Sequence, residues 1–235
     1  MNMVASFVTH RALDGGTYRL EGDLDLRAPC TSAAEVVAGG RLVEFTAGPA
    51  ALGDDVAASL GIGAPDSELT FQKGTLRVHR SIEREARSGL VERPSLVVWR
   101  GERHALVTRL YGLDLAEVLG LLRSVRMSES EYGLALDPDP SAGSAFARPA
   151  TVIKEIPGLG LLELSRRTKE HTAQLPPWKG VAVASGELFR DTLSDGSPFF
   201  VLSSTEIWAT LVPLASTSVA RVPELVGRLA LRRTG

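Results

Sequence analysis

The sequence predicts an α+β protein. Antiparallel sheets carry helices packed on one face, in two pseudo-repeated β-hairpin–helix halves. Three observations predict it: hairpin turn signals between strand-like runs, an amphipathic helix behind one hairpin, and a second stretch that matches the first.

The clearest hairpin lies in Pro94 to Val125, PSLVVWRGERHALVTRLYGLDLAEVLGLLRSV. Leu96 to Trp99 and His104 to Thr108 read as strands. Gly101-Glu102 between them suits a two-residue turn with glycine first, which would set Trp99 opposite His104. Asp114 then offers its carboxylate as a helix N-cap, with Glu117 three residues on. Leu115, Val118, Leu119, Leu122 and Val125 follow the spacing of one buried helix face.

Pro198 to Leu229, PFFVLSSTEIWATLVPLASTSVARVPELVGRL, matches this stretch without a gap at an offset of 104 residues. Pro94/Pro198, Val97/Val201, Glu102/Glu206, Ala105/Ala209, Leu110/Leu214, Ala116/Ala220, Val118/Val222 and Leu121/Leu225 are identical. Val222, Leu225, Val226 and Leu229 repeat the helix face, and Pro223 fits only at its start. Lys73-Gly74 and Lys179-Gly180 correspond further upstream. A unit of this size implies paired subdomains, not a solenoid.

The remaining elements follow the same rules. Ser6 to His10 and Thr17 to Glu21 flank Asp14-Gly15-Gly16, a hairpin. Thr31 or Ser32 caps a predicted short helix through Val37, stopped by Gly39-Gly40. Leu42 to Phe45 is a strand and Pro49 to Leu60 an Ala-rich helix closed by Gly61. Leu69 to His79 is a strand pair around Lys73-Gly74, and Tyr132 to Leu136 and Leu159 to Leu164 are strands. The Pro-rich stretch Asp137 to Ala150 divides the chain into residues 1–136, a linker over 137–150, and residues 151–235.

Composition narrows the function classes. Hydrophobic residues make up 44% and charged residues 23% of the chain, enough for a packed core. The net charge of −2 lacks the basic surplus of a nucleic-acid binder. Met1 to Arg11 lacks a basic n-region, and Ser6 interrupts the apolar Met3 to Val8, so no secretory leader is expected. No apolar run reaches the roughly 18 residues of a membrane span. Cys30 is the single cysteine and has no internal disulfide partner, which fits a reducing, cytoplasmic setting. Abundant Ala, Arg, Gly, Leu and Val with little Lys suit a bacterial source.

Catalytic signatures are missing. There is no G-x-S-x-G elbow and no phosphate-binding loop. Gly158-Leu159-Gly160 lacks the third glycine of a dinucleotide fingerprint, and Gly61-Ile62-Gly63 reads as a helix stop. His10, His79, His104 and His171 are scattered, and Asp23/Asp25 and Asp137/Asp139 lack the rest of a calcium loop. No metal or cofactor is expected. Arg166, Arg167 and Lys169 lie among glutamates as a solvated face, as do Arg232-Arg233.

Cys30 is the one candidate catalytic residue. A thiol at the N-terminus of the predicted helix would feel the helix dipole and favour thiolate. Trp99, Trp178 and Trp208, with His104, are candidates for ligand or partner contact, since Trp anchors interfaces. Buried, the same tryptophans would fill the core.

Val97 to Val125, a strand ending in Trp, a polar turn, a strand and the helix LDLAEVL, is similar to modules of bacterial sigma-factor regulators and lipoprotein-sorting-like domains. That resemblance implies a curved antiparallel sheet that binds peptides or lipids. Trp208 to Leu229 looks like the end of adaptor chaperones of actinobacterial type VII secretion. Neither carries a site residue over.

The reading is a non-enzymatic binding or adaptor protein. It would recognise a protein segment or apolar ligand through a sheet edge or a groove between the halves. Its partner would be another protein, or a second copy of itself. The alternatives are a thiol-dependent enzyme or redox sensor using Cys30, and a structural subunit of a bacterial assembly.

Overall fold

The computed structural model describes residues 6–84 and 91–234. Residues 1–5, with part of the Met3 to Val8 stretch weighed as a leader, lie outside them. Strand accounts for 52% of the described residues and helix for 15%. The α+β expectation is therefore corrected: this is a largely antiparallel β protein with a few short helices.

The chain begins with β1 (Ser6–Arg11) and β2 (Thr17–Gly22). Then come β3 (Cys30–Ala38), β4 (Arg41–Pro49), α1 (Leu52–Ser59), β5 (Ser67–Phe71) and β6 (Gly74–Arg80). The two-residue strands β7 (Glu83–Arg84) and β8 (Val91–Glu92) precede β9 (Pro94–Arg100), β10 (His104–Tyr111) and α2 (Leu115–Arg123). Next are β11 (Val125–Ser130), β12 (Gly133–Pro138), β13 (Ala145–Phe146), β14 (Thr151–Ile156) and β15 (Gly160–Arg166). After α3 (Lys169–Ala173) follow β16 (Val181–Val183), β17 (Gly186–Thr192), β18 (Pro198–Ser203) and β19 (Ile207–Pro213). A short α4 (Val222–Gly227) and β20 (Leu229–Thr234) close the chain.

Two local readings contribute to the fold-class error. The helix expected through Val37 is strand β3: Ser32, Ala34, Val36 and Ala38 are buried and the residues between them are not. That period of two is the strand signature. The α2 helix was expected to run to Val125. It stops at Ser124, whose hydroxyl donates to the Leu121 carbonyl, and Val125 opens a strand. The Asp114–Glu117 capping box forms as expected, with both bonds present.

The chain divides into two compact units, one of residues 1–12, 16–31 and 150–235, the other of residues 13–15 and 32–149. In the second, the antiparallel strand order is β5-β6-β9-β10-β4-β3. Every residue of β9 except Arg100 is buried. Helix α1 explains part of this: its Ala57 packs with Leu96, Val98 and Val107, flanked by Leu52, Val56 and Ile62. Gly53 lets the helix approach, since a Cβ there would collide with Val98. Hairpin β11-β12 forms a separate ladder.

The first unit has the matching strand order β16-β17-β18-β19-β15-β14 and a three-stranded ladder β1-β2-β20. Arg228 braces that ladder by forking onto Asp23, with Nε 2.8 Å from Oδ1. The hairpin, helix and strand of β9-β10-α2-β11 recur as β18-β19-α4-β20, with β11 and β20 both starting 104 residues apart.

One device is common to both units. The turn of the edge hairpin sends a side chain onto the strand after the helix. In one unit Gln72 donates to the Leu122 and Val125 carbonyls and accepts from Met127 N–H. In the other Ser185 donates to the Leu229 carbonyl and accepts from Leu231 N–H. Val125 and Met127 stand 104 residues before Leu229 and Leu231. Each latch satisfies backbone groups where the strand after the helix begins. Gln72→Ala is expected to cost about 2–3 kcal/mol and Ser185→Ala about 1–2 kcal/mol by urea denaturation, because each strands half-buried polar groups. A loss below about 0.5 kcal/mol for both would mean that water replaces the latch.

Candidate ligand-binding cavity

Gln72 and Lys73 form the two-residue turn between β5 and β6, with φ of 45° and 64°. Positive φ at both positions is the turn geometry that suits a twisted hairpin. It is uncommon for side chains other than Gly, Asn and Asp. The three bonds of Gln72 help hold it there.

Trp99 lies behind this turn. It is only 4% exposed, and its Nε1–H donates to the Phe71 carbonyl at 2.8 Å. Gly74 and Gly101 make room for the indole: a Cβ on Gly74 would lie 2.5 Å from Trp99 Cε2, and one on Gly101 2.8 Å from its Cη2. So Trp99 is a core residue that shows an edge to the surface.

The β9–β10 turn is wider than the expected Gly101-Glu102 pair. Arg100 pairs with Ala105, and Trp99 lies opposite Leu106, not His104. The reason is Glu129 on β11. Its carboxylate accepts the backbone N–H groups of Glu102, Arg103 and His104 at 2.9, 2.7 and 2.6 Å, and its Oε1 lies 3.1 Å from His104 Nδ1. Burial pushes the Glu129 carboxyl up, but these N–H groups and the imidazole together outweigh it and hold it below the usual carboxylate range.

Between these turns and the end of α2 is an open cavity of about 780 Å³. Phe71, Trp99 and Met127 give it an apolar floor, and Lys73, Arg123 and Arg126 line it with cations. A second, more apolar groove of about 410 Å³ runs beside α1, lined by Leu52, Val56, Leu60 and Tyr111 among others.

Of the residues singled out in the sequence, Trp99 and His104 are brought to this region. His104 meets Glu129, which lines the cavity with Trp99. Trp178 and Trp208 belong to the other unit. Trp178 is 58% exposed between α3 and β16, while the half-buried Trp208 stacks on His171 with centroids 4.7 Å apart. Phe71, Gln72, Arg123, Arg126 and Glu129 were missed as site residues. The alternation VRMSES over 125–130 was the one available signal, because it marks a strand that turns Met127 to the interior.

Cys30 is not at a helix N-terminus, because the segment is strand. His10 Nδ1 lies 3.0 Å from its Sγ, and Lys154, almost fully buried, donates to the Ala28 carbonyl nearby. Burial pushes the Cys30 thiol up to about 11, against the smaller opposing pull of Lys154. Burial, with Lys154, pushes His10 down to about 4. A neutral thiol beside a neutral imidazole is a poor nucleophile at neutral pH.

The other histidines serve separate local structures, with His79 Nδ1 at the Gly63 carbonyl and His171 in the α3 capping box. Among the described residues no three His, Cys, Asp or Glu side chains group to hold a metal ion. No helix among them is long and apolar enough to cross a membrane. Comparison with protein-family models, curated proteins and solved structures found no match.

Proposed function

We propose that the protein is a non-enzymatic binding or adaptor protein of the bacterial cytoplasm. It recognises a protein segment or an apolar ligand at the cavity beside its β5–β6 edge hairpin. The observation that carries this reading is an open cavity of about 780 Å³ with an apolar floor of Phe71, Trp99 and Met127. The neighbouring ionisable groups suit binding better than proton transfer. Glu129 is saturated with donors. The size falls within the range of ligand pockets, about 300–1,000 Å³.

N-phenyl-1-naphthylamine, an uncharged apolar dye, tests the reading. Its fluorescence should rise to saturation at one dye per chain. Ser128→Trp, which fills the cavity from an exposed position, should abolish the rise. A rise that Ser128→Trp leaves intact, or no saturable rise, would refute the assignment.

A further inference from the structure

We infer that the cavity selects small organic ligands with an apolar chain or ring that ends in a carboxylate. This rests on the reading of the cavity as a binding site.

Three cations line one cavity whose floor is apolar. Gln72 places the turn there. By tying the β5–β6 turn to the Leu122 and Val125 carbonyls and to Met127 N–H, it brings Lys73 beside Arg123 and Arg126. Lys73 and Arg123 form no ion pair among the described residues. Arg126 has a loose contact with Asp137 at 3.9 Å, with both side chains at least 75% exposed, and a minor electrostatic pull on the exposed Asp139, pairs of little energetic weight. Two carboxylates also line the cavity. Glu129 is engaged by the turn, and Glu102 is exposed.

The cations are not there to hold the fold. The other unit has the same latch, made by Ser185. At its positions 104 residues beyond Arg123 and Arg126 stand Gly227 and Ala230, and the position matching Trp99 is Ser203. At these two arginine positions the charge is present only in the unit with the aromatic floor. A guanidinium fork beside an apolar floor gives a carboxylate charge-assisted hydrogen bonds while its apolar body leaves water.

Calorimetric titration of the full chain with decanoate, decanol and decyltrimethylammonium separates the possibilities. The Trp99 indole N–H resonance reports whether each ligand enters this cavity. Decanoate should bind about tenfold more tightly than decanol, the scale of one charge-assisted hydrogen bond. Decyltrimethylammonium should bind more weakly than either. The triple variant Lys73→Ala, Arg123→Ala, Arg126→Ala should bring decanoate to the level of decanol and leave decanol unchanged. Equal binding of decanoate and decanol to the wild type would overturn this inference and leave the cavity as a binding site. So would a preference for decanoate that survives the triple variant. Failure of all three ligands to bind or to move the Trp99 resonance would overturn the binding reading as well.

Discussion

Trp99→Ala should lower the unfolding free energy by about 3–5 kcal/mol, the scale of a large aromatic lost from a packed core. Trp99 is the hinge between fold and site. Its ring rests where Gly74 and Gly101 have no side chain, and its N–H satisfies the Phe71 carbonyl at the end of β5. Removing it loses dispersion contacts, deprives that carbonyl of its donor, and joins the vacated space to the 780 Å³ cavity. Trp99→Phe keeps most of the apolar area and loses the hydrogen bond, so a smaller loss of about 1–2 kcal/mol is expected. Urea denaturation of the two variants against wild type measures both numbers. A loss under 1 kcal/mol for the alanine variant would show that the indole is a surface anchor and not core.

What the sequence reveals depends on how far each determinant acts. Hairpins were legible where the turn chemistry is local: Asp14-Gly15-Gly16 does join β1 to β2. The Asp114 capping box was legible because both its partners lie within four residues. Strand β3 was misread because Thr31, Ser32 and Glu35 imitate a helix start. Its buried face of Ser32, Ala34, Val36 and Ala38 is too small and mixed to reveal the alternation. Strand β11 was hidden because Val125 continues the helical spacing of Val118 and Leu122 one step past the helix end.

The cavity was less legible still. Gln72 reads as an ordinary polar turn residue, yet its partners are 50 to 55 residues away. Glu129 lies 27 residues from the turn it organises. Neither bond leaves a periodicity, and Lys73 meets the arginines only once the latch closes. Cys30 shows the converse. Its local neighbours suggested an activated thiol, but tertiary burial decides its chemistry.

Glu129→Gln should cost about 2–3 kcal/mol at pH 7 and flatten the acid side of the stability profile. In the wild type the carboxylate receives three backbone N–H groups that converge from the β9–β10 turn. Bonds to an ionised acceptor are worth about 1.5–3 kcal/mol each when removal leaves a donor stranded, and partial access of water to the turn keeps the sum at the lower figure. The glutamine keeps one oxygen but presents an NH₂ group to the remaining N–H donors.

The pH dependence has a fixed sign. The folded-state pKa of Glu129 is depressed, so its contribution is fully present above the pKa of the unfolded chain. It is lost as pH falls through the folded value. Wild type should therefore weaken below about pH 4.5, the ordinary range of a glutamate, while the glutamine variant loses less over the same interval. Because other carboxylates titrate there in both proteins, the difference between the two curves is the quantity to measure. Parallel curves from pH 7 to pH 3 would show that Glu129 adds no acid-dependent stability. The turn would then be held by its own backbone bond, from Gly101 N–H to the His104 carbonyl.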